Sequence, residues 1–170
     1  ADFRASEKMA QLIVQVAGRA GRASDLGRVI IQSALADHPL LVQLSEQGYF
    51  AFAEQALSER RATALPPFSH LALLRADALK PELADAFLED AYSIAEQLLE
   101  QLKIEGVELL GPIASPMERR AGRYRAQLLI QANSRAPLHR LLTPLCNNLE
   151  SLPSARQSRW SMDVDPIDLF

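Results

Sequence analysis

The chain has 170 residues, 48% of them hydrophobic and 23% charged, with a formal net charge of −3 and a pI near 5.6. That balance suits one ordinary domain, or a small domain plus part of another, and bulk charge favours no polyanionic partner, so any nucleic-acid contact must be a local basic patch. A single cysteine, Cys146, excludes a disulfide framework or a cysteine metal cluster, and no apolar run approaches the roughly 18 residues of a membrane span; a cytoplasmic protein without a membrane partner is expected.

Met9, Leu12, Ile13 and Val16 recur at helical spacing, which predicts an amphipathic helix from about Ser6 that stops at Gly18 and Gly21. Gly27 to Ser33 is β-branched at its centre and reads as a short strand. Pro39 opens a helix that Gly48 breaks, and a second helical stretch runs from Tyr49 to about Arg61. Leu65-Pro66-Pro67 is a stiff linker, because each proline fixes φ and restricts the residue before it. His70 to Asp77 reads as a strand and Pro81 to about Lys103 as a helix with Phe87, Leu88, Ala91, Ala95 and Leu98 on one face. Val107 to Leu110 reads as a strand and Gly111 to Gly122 as a loop. Arg123 to Gln131 is a further strand. Pro137 opens another helix, which Pro144 should kink, and Gln157 to Asp165 is a last strand. The order from His70 onward is β-α-β-β-α-β, an α+β pattern of the split-βαβ, ferredoxin-like type.

One segment carries chemistry. Gln15-Val16-Ala17-Gly18-Arg19-Ala20-Gly21-Arg22 places two guanidiniums three residues apart beside two glycines. Arg offers a permanently charged fork suited to phosphate, and glycine lets backbone approach a ligand closely. A lone Gly-Arg at a helix end would more simply satisfy the last carbonyls. The full segment resembles motif VI of superfamily 2 helicases. The resemblance implies the end of a RecA-like α/β lobe, with Gln15, Gly18 and Gly21 at the nucleotide and Arg19 and Arg22 as catalytic arginines, Arg22 being the first candidate for the finger and Arg19 the second. No Gly-x-x-x-x-Gly-Lys-Ser/Thr loop is present in this sequence, so the fragment alone should not hydrolyse ATP.

The resemblance reaches further. Ala1 to Glu7, Phe52-Ala53-Glu54 through Arg61, Leu65 to Ser69, Gly111-Pro112, Pro116 to Arg119, Gly122 to Leu129 and Trp160 to Pro166 are similar to the C-terminal part of the primosomal protein N′ family. The implied whole protein is an ATP- and Mg²⁺-dependent 3′→5′ DNA helicase that restarts stalled replication forks and starts primosome assembly. Its implied partners are single-stranded and forked DNA, the tail of single-stranded DNA-binding protein (SSB) and other primosome proteins. Zinc is implied in the family's cysteine-rich insertion and not in this chain. The implied division is residues 1–45 as the tail of the second helicase lobe and 46–170 as a linker helix plus an accessory domain similar to ribosomal protein S10.

Arg119, Arg120, Arg123 and Arg125, with Tyr124 among them, form the densest basic cluster and are the expected DNA-contacting residues. Strand alternation puts Arg123 and Arg125 on one face and Tyr124 on the other. Trp160 could stack a base or fill the core. By resemblance Arg135 and His139 would meet the acidic SSB tail. Cys146, His38 and His70 read as structural. The competing reading is a free-standing ferredoxin-like module that binds RNA or a small effector, for which a nucleotide finger has no use.

Overall fold

The computed structural model describes residues 3–20 and 28–169, and the chain divides into two compact units, Asp2–Ala64 and Leu65–Phe170. In the first, α1 (Ala5–Ala20) and α2 (Pro39–Ala62) meet around Ala10, Leu44 and Phe52, with Ile13, Leu40, Tyr49 and Ala56 packed against them. The helical stretch after Gly48 therefore shares a core with α1, although the sequence reading groups it with residues 46–170. Two elements differ from expectation. Leu12 and Val16, on the expected buried face of α1, are exposed, and Ala10 and Ile13 do the packing. Residues 28–33 form no strand, and Ile30 is 81% exposed; no described strand lies alongside to complete a ladder.

Local chemistry accounts for α2. Pro39 stands in the first turn, where a missing N–H costs nothing, and His38 caps it: Nδ1 accepts from the Leu40 amide at 3.3 Å. Gly48, at φ +82°, joins two helical pieces across a kink, a conformation that disfavours side chains. Thr63 ends the helix, its hydroxyl donating to the Glu59 carbonyl at 2.8 Å.

The second unit follows β1 (His70–Ala78), α3 (Pro81–Gln101), β2 (Val107–Arg120), β3 (Arg123–Ala132), α4 (Arg135–Ser151), a 3-10 turn at Ser154–Arg156, and β4 (Arg159–Val164). The strands make one antiparallel sheet in the order β2-β3-β1-β4. Alternation sends Ala72, Leu74 and Ala76 of β1 and Ala126, Leu128 and Ile130 of β3 into one core with Phe87, Leu88 and Ala91 of α3 and Leu138, Leu141 and Leu145 of α4. The opposite face carries Arg75 and Asp77 of β1 beside Gln127 and Arg125 of β3.

The expected loop at 111–122 is mostly strand, because β2 continues to Arg120. It tolerates Gly111, Pro112 and Pro116 because it is an edge strand, paired on one side only, and its register shifts between Leu110 and Ile113 and between Ala114 and Arg119. Helix α4 begins at Arg135, two residues before Pro137, and its helical assignment runs on through Pro144 to Ser151. No described helix is long and apolar enough to cross a membrane.

Candidate nucleic-acid interface

The register of the sheet assembles a basic groove that chain order conceals. Asp77 of β1 lies opposite Arg125 of β3 on one side and opposite Arg159 of β4 on the other. The short turn between β2 and β3 brings Arg120 and Arg123 to the same end, with Ala121 at φ +49° and Gly122 at φ +77°. Arg75, Arg120, Arg123, Arg125 and Arg159 thus line one open groove of about 480 Å³, whose lining contains a single carboxylate, that of Asp77.

These cations are not equivalent. Arg123 is engaged: Nε donates to the Asp77 carboxylate and Nη2 to the Asp77 carbonyl at 3.0 Å. Arg75 is engaged too, with Nη1 on Asp163 Oδ2 at 2.8 Å and Nη2 donating to the Asp168 carbonyl at 3.0 Å. Arg120, Arg125 and Arg159 make no ion pair or side-chain hydrogen bond among the described residues. They are the groove's available charge. An anion would be met there by planar, permanently charged forks.

Two expected contact residues make contacts with other aromatic rings. The Arg119 guanidinium sits over the Tyr124 ring at 5.2 Å, and Tyr124 points away from the face that carries Arg123 and Arg125, so Arg119 does not line the groove. Trp160 stacks on Phe87, with centroids 5.9 Å apart and planes at 27°, and packs against the main core. Phe87 covers one side of the ring, and the half-buried indole also borders the groove. Arg159 and Arg75 were not expected. Arg75 interrupts the apolar run of β1 two residues before Asp77, a period-two hint of a polar second face.

At the other candidate positions, Gln15, Gly18 and Arg19 are exposed in the last two turns of α1, and a Cβ placed on Gly18 would meet nothing within 4 Å. Gly21 and Arg22 lie outside the described residues. Arg135 and His139 are exposed one turn apart at the start of α4, and Arg135 Nη2 lies 3.4 Å from Asp165 Oδ2. Cys146 is half-buried in α4, and burial, followed by the Glu150 carboxylate, pushes its thiol pKa up.

Residues 61–167 match the family described as "Primosomal protein N C-terminal domain". The chain is similar to Replication restart protein PriA of Haemophilus influenzae, at 43% identity over 99% of the chain and 22% of that protein. It is 33% identical to the Synechocystis protein of the same name, over 99% of the chain and 19% of that protein, and 32% identical to the Bacillus subtilis one, over 97% and 20%. The chain spans about a fifth of the length of these relatives. With a family match over more than half its residues and a fold of four antiparallel strands and helices beneath it, this chain belongs to the PriA replication-restart family and carries that family's C-terminal domain.

Proposed function

We propose that the unit 65–170 binds single-stranded nucleic acid in the groove of Arg120, Arg125 and Arg159, as the accessory domain of an ATP-dependent 3′→5′ DNA helicase that restarts stalled replication forks and starts primosome assembly. The observation that carries this is five arginines converging on one groove against one lining carboxylate, in a chain whose net charge is −3. A local field of that kind attracts a phosphate backbone despite an acidic whole. We read the β-α-β-β-α-β order and the β2-β3-β1-β4 sheet as a ferredoxin-like, S10-like arrangement.

The first unit is read as the edge of a RecA-like second lobe, with residues 1–45 as motor tail. The exposed Gln15 and Arg19, and the open space at Gly18, suit a polyphosphate held by the rest of the motor. In the full-length protein Mg²⁺-ATP would supply the driving hydrolysis. This chain's part is charge: Arg19, with Arg22, would stabilise the phosphate oxygens. Zinc is read as belonging to the rest of the full-length protein, since Cys146 is the sole cysteine of this sequence. Arg135 and His139 form the proposed seat for the acidic SSB tail, and a cytoplasmic location follows from this reading.

The test is equilibrium binding of a labelled oligothymidylate and an RNA of equal length to the whole chain, with and without Arg120→Ala, Arg125→Ala and Arg159→Ala together. The reading expects DNA binding that the triple variant loses. Equal affinity for both nucleic acids would favour the free-standing RNA module, and binding unaffected by the triple variant would remove the groove from consideration.

A further inference from the structure

The groove continues under a strap. After β4 the chain does not leave the sheet: the Asp165 amide donates to the Leu71 carbonyl at 2.9 Å, and Pro166 is buried. Two further bonds tie the segment to the sheet's second face. Arg75 Nη2 donates to the Asp168 carbonyl at 3.0 Å, with Asp168 Oδ1 3.5 Å away, and Gln127 Nε2 donates to the Leu169 carbonyl at 3.3 Å. Arg75 and Gln127 are opposite one another in the β1–β3 register, and the next residues on the same face are Asp77 and Arg125, which line the groove. Asp168 itself lines a cavity with Arg120 and Arg125, the groove's available cations.

We propose that residues 165–169 are a displaceable acidic strap covering a second half of the nucleic-acid track, formed by Arg75 and Gln127, and that polyanion binding lifts it. This rests on the groove reading above. The segment presents to Arg75 two oxygen acceptors, one of them anionic, the kind of pair that the non-bridging oxygens of a phosphodiester also offer. Apart from the buried Pro166, its named attachments to the sheet are polar. The carboxylate of Asp168 is about half exposed and 3.5 Å from Arg75, so solvent and salt reach its side of the pair and a multivalent phosphate chain can compete for the guanidinium. Arg75 has a reason to gain from the exchange: its Nε is buried with no hydrogen-bond partner among the described residues. Linkage then demands reciprocity, so whatever weakens the strap tightens nucleic-acid binding, by at most the same factor.

The experiment uses the whole chain with Cys146→Ser and a nitroxide on Ile167→Cys, a position 64% exposed and therefore tolerant of the label. Spectra are recorded as oligothymidylate is added, and Asp168→Asn is measured alongside for affinity. The proposal expects an immobilised label that becomes mobile in step with saturation, and an affinity rise of roughly two- to fivefold for Asp168→Asn at low salt. A line shape that stays unchanged while the oligonucleotide binds would overturn the strap and leave the groove standing. Binding insensitive to the Arg120, Arg125 and Arg159 substitutions would remove the groove, and the strap's role with it.

Discussion

Arg123 grips Asp77 through two bonds, one to the carboxylate and one, at 3.0 Å, to the backbone carbonyl. The pair ties the start of β3 to β1 and neutralises the groove's one lining acid. One arginine of the four-residue cluster that looks most like a DNA-binding patch is thereby engaged structurally. Asp77→Asn should free Arg123 to meet phosphate, raising single-stranded DNA affinity at low salt and steepening the salt slope by up to about 0.7. The same change should cost on the order of 1 kcal/mol in urea unfolding, since it weakens a charge-assisted bond. Oligonucleotide binding and denaturation of one variant check both signs.

Trp160 gives a sharper contrast, because it is the chain's sole tryptophan. Seated on Phe87, it should keep its fluorescence nearly unquenched when oligothymidylate saturates the protein. Trp160→Ala should destabilise the unit by about 3–5 kcal/mol, through the cavity it leaves. Trp160→Phe should retain DNA affinity. Strong quenching on DNA addition would restore the base-stacking role.

Gly111 sits at φ +112°, and an added Cβ would lie 3.1 Å from the Gln127 carbonyl oxygen and 3.1 Å from the Ile113 amide nitrogen. Both neighbours are backbone and cannot rotate away. Gly111→Ala should therefore cost about 1–3 kcal/mol, read as a lower unfolding midpoint. Its register shift lies beside the β2 segment leading to Arg120, so DNA affinity should fall in parallel.

Arg135 pairs with Asp165 at 3.4 Å, with side chains 69% and 51% exposed. So open an ion pair is worth little. Arg135→Ala should weaken an acidic SSB-tail peptide in fluorescence polarisation by far more than Asp165→Asn strengthens it. Equal and opposite effects would mean that the intramolecular pair controls the site.

Cys146 should react slowly with iodoacetamide at pH 7. Burial and Glu150 raise its thiol pKa, so the thiolate fraction at any given pH is below that of an ordinary cysteine, and reaction should accelerate only in alkali. Unfolding in urea should remove the difference.

Much of the second unit was legible in the sequence because its signals are local. The helical stripe of Phe87, Leu88, Ala91 and Ala95 and the alternation of β3 correspond to buried positions in the structure. The 111–120 segment was misread because glycine and proline mark loops in general, while edge strands accept them. The strand expected over 27–33 is absent from its described residues, 28–33, because β-branched residues give propensity but no partner. The groove was half legible: Arg120, Arg123 and Arg125 are neighbours in sequence, whereas Arg159 joins them only through the pairing of β4 with β1. Arg119 lies over Tyr124 and outside the groove, and Trp160 divides between Phe87 and the groove's border, partners that only packing reveals.

In the proposed complex Arg120, Arg125 and Arg159 neutralise phosphates together. The most direct measurement is the salt dependence of oligothymidylate binding to the whole chain and to the triple alanine variant. The expected result is a weaker complex whose log–log slope is shallower by about 2, or about 0.7 for each lost phosphate contact. An unchanged slope and affinity would contradict it.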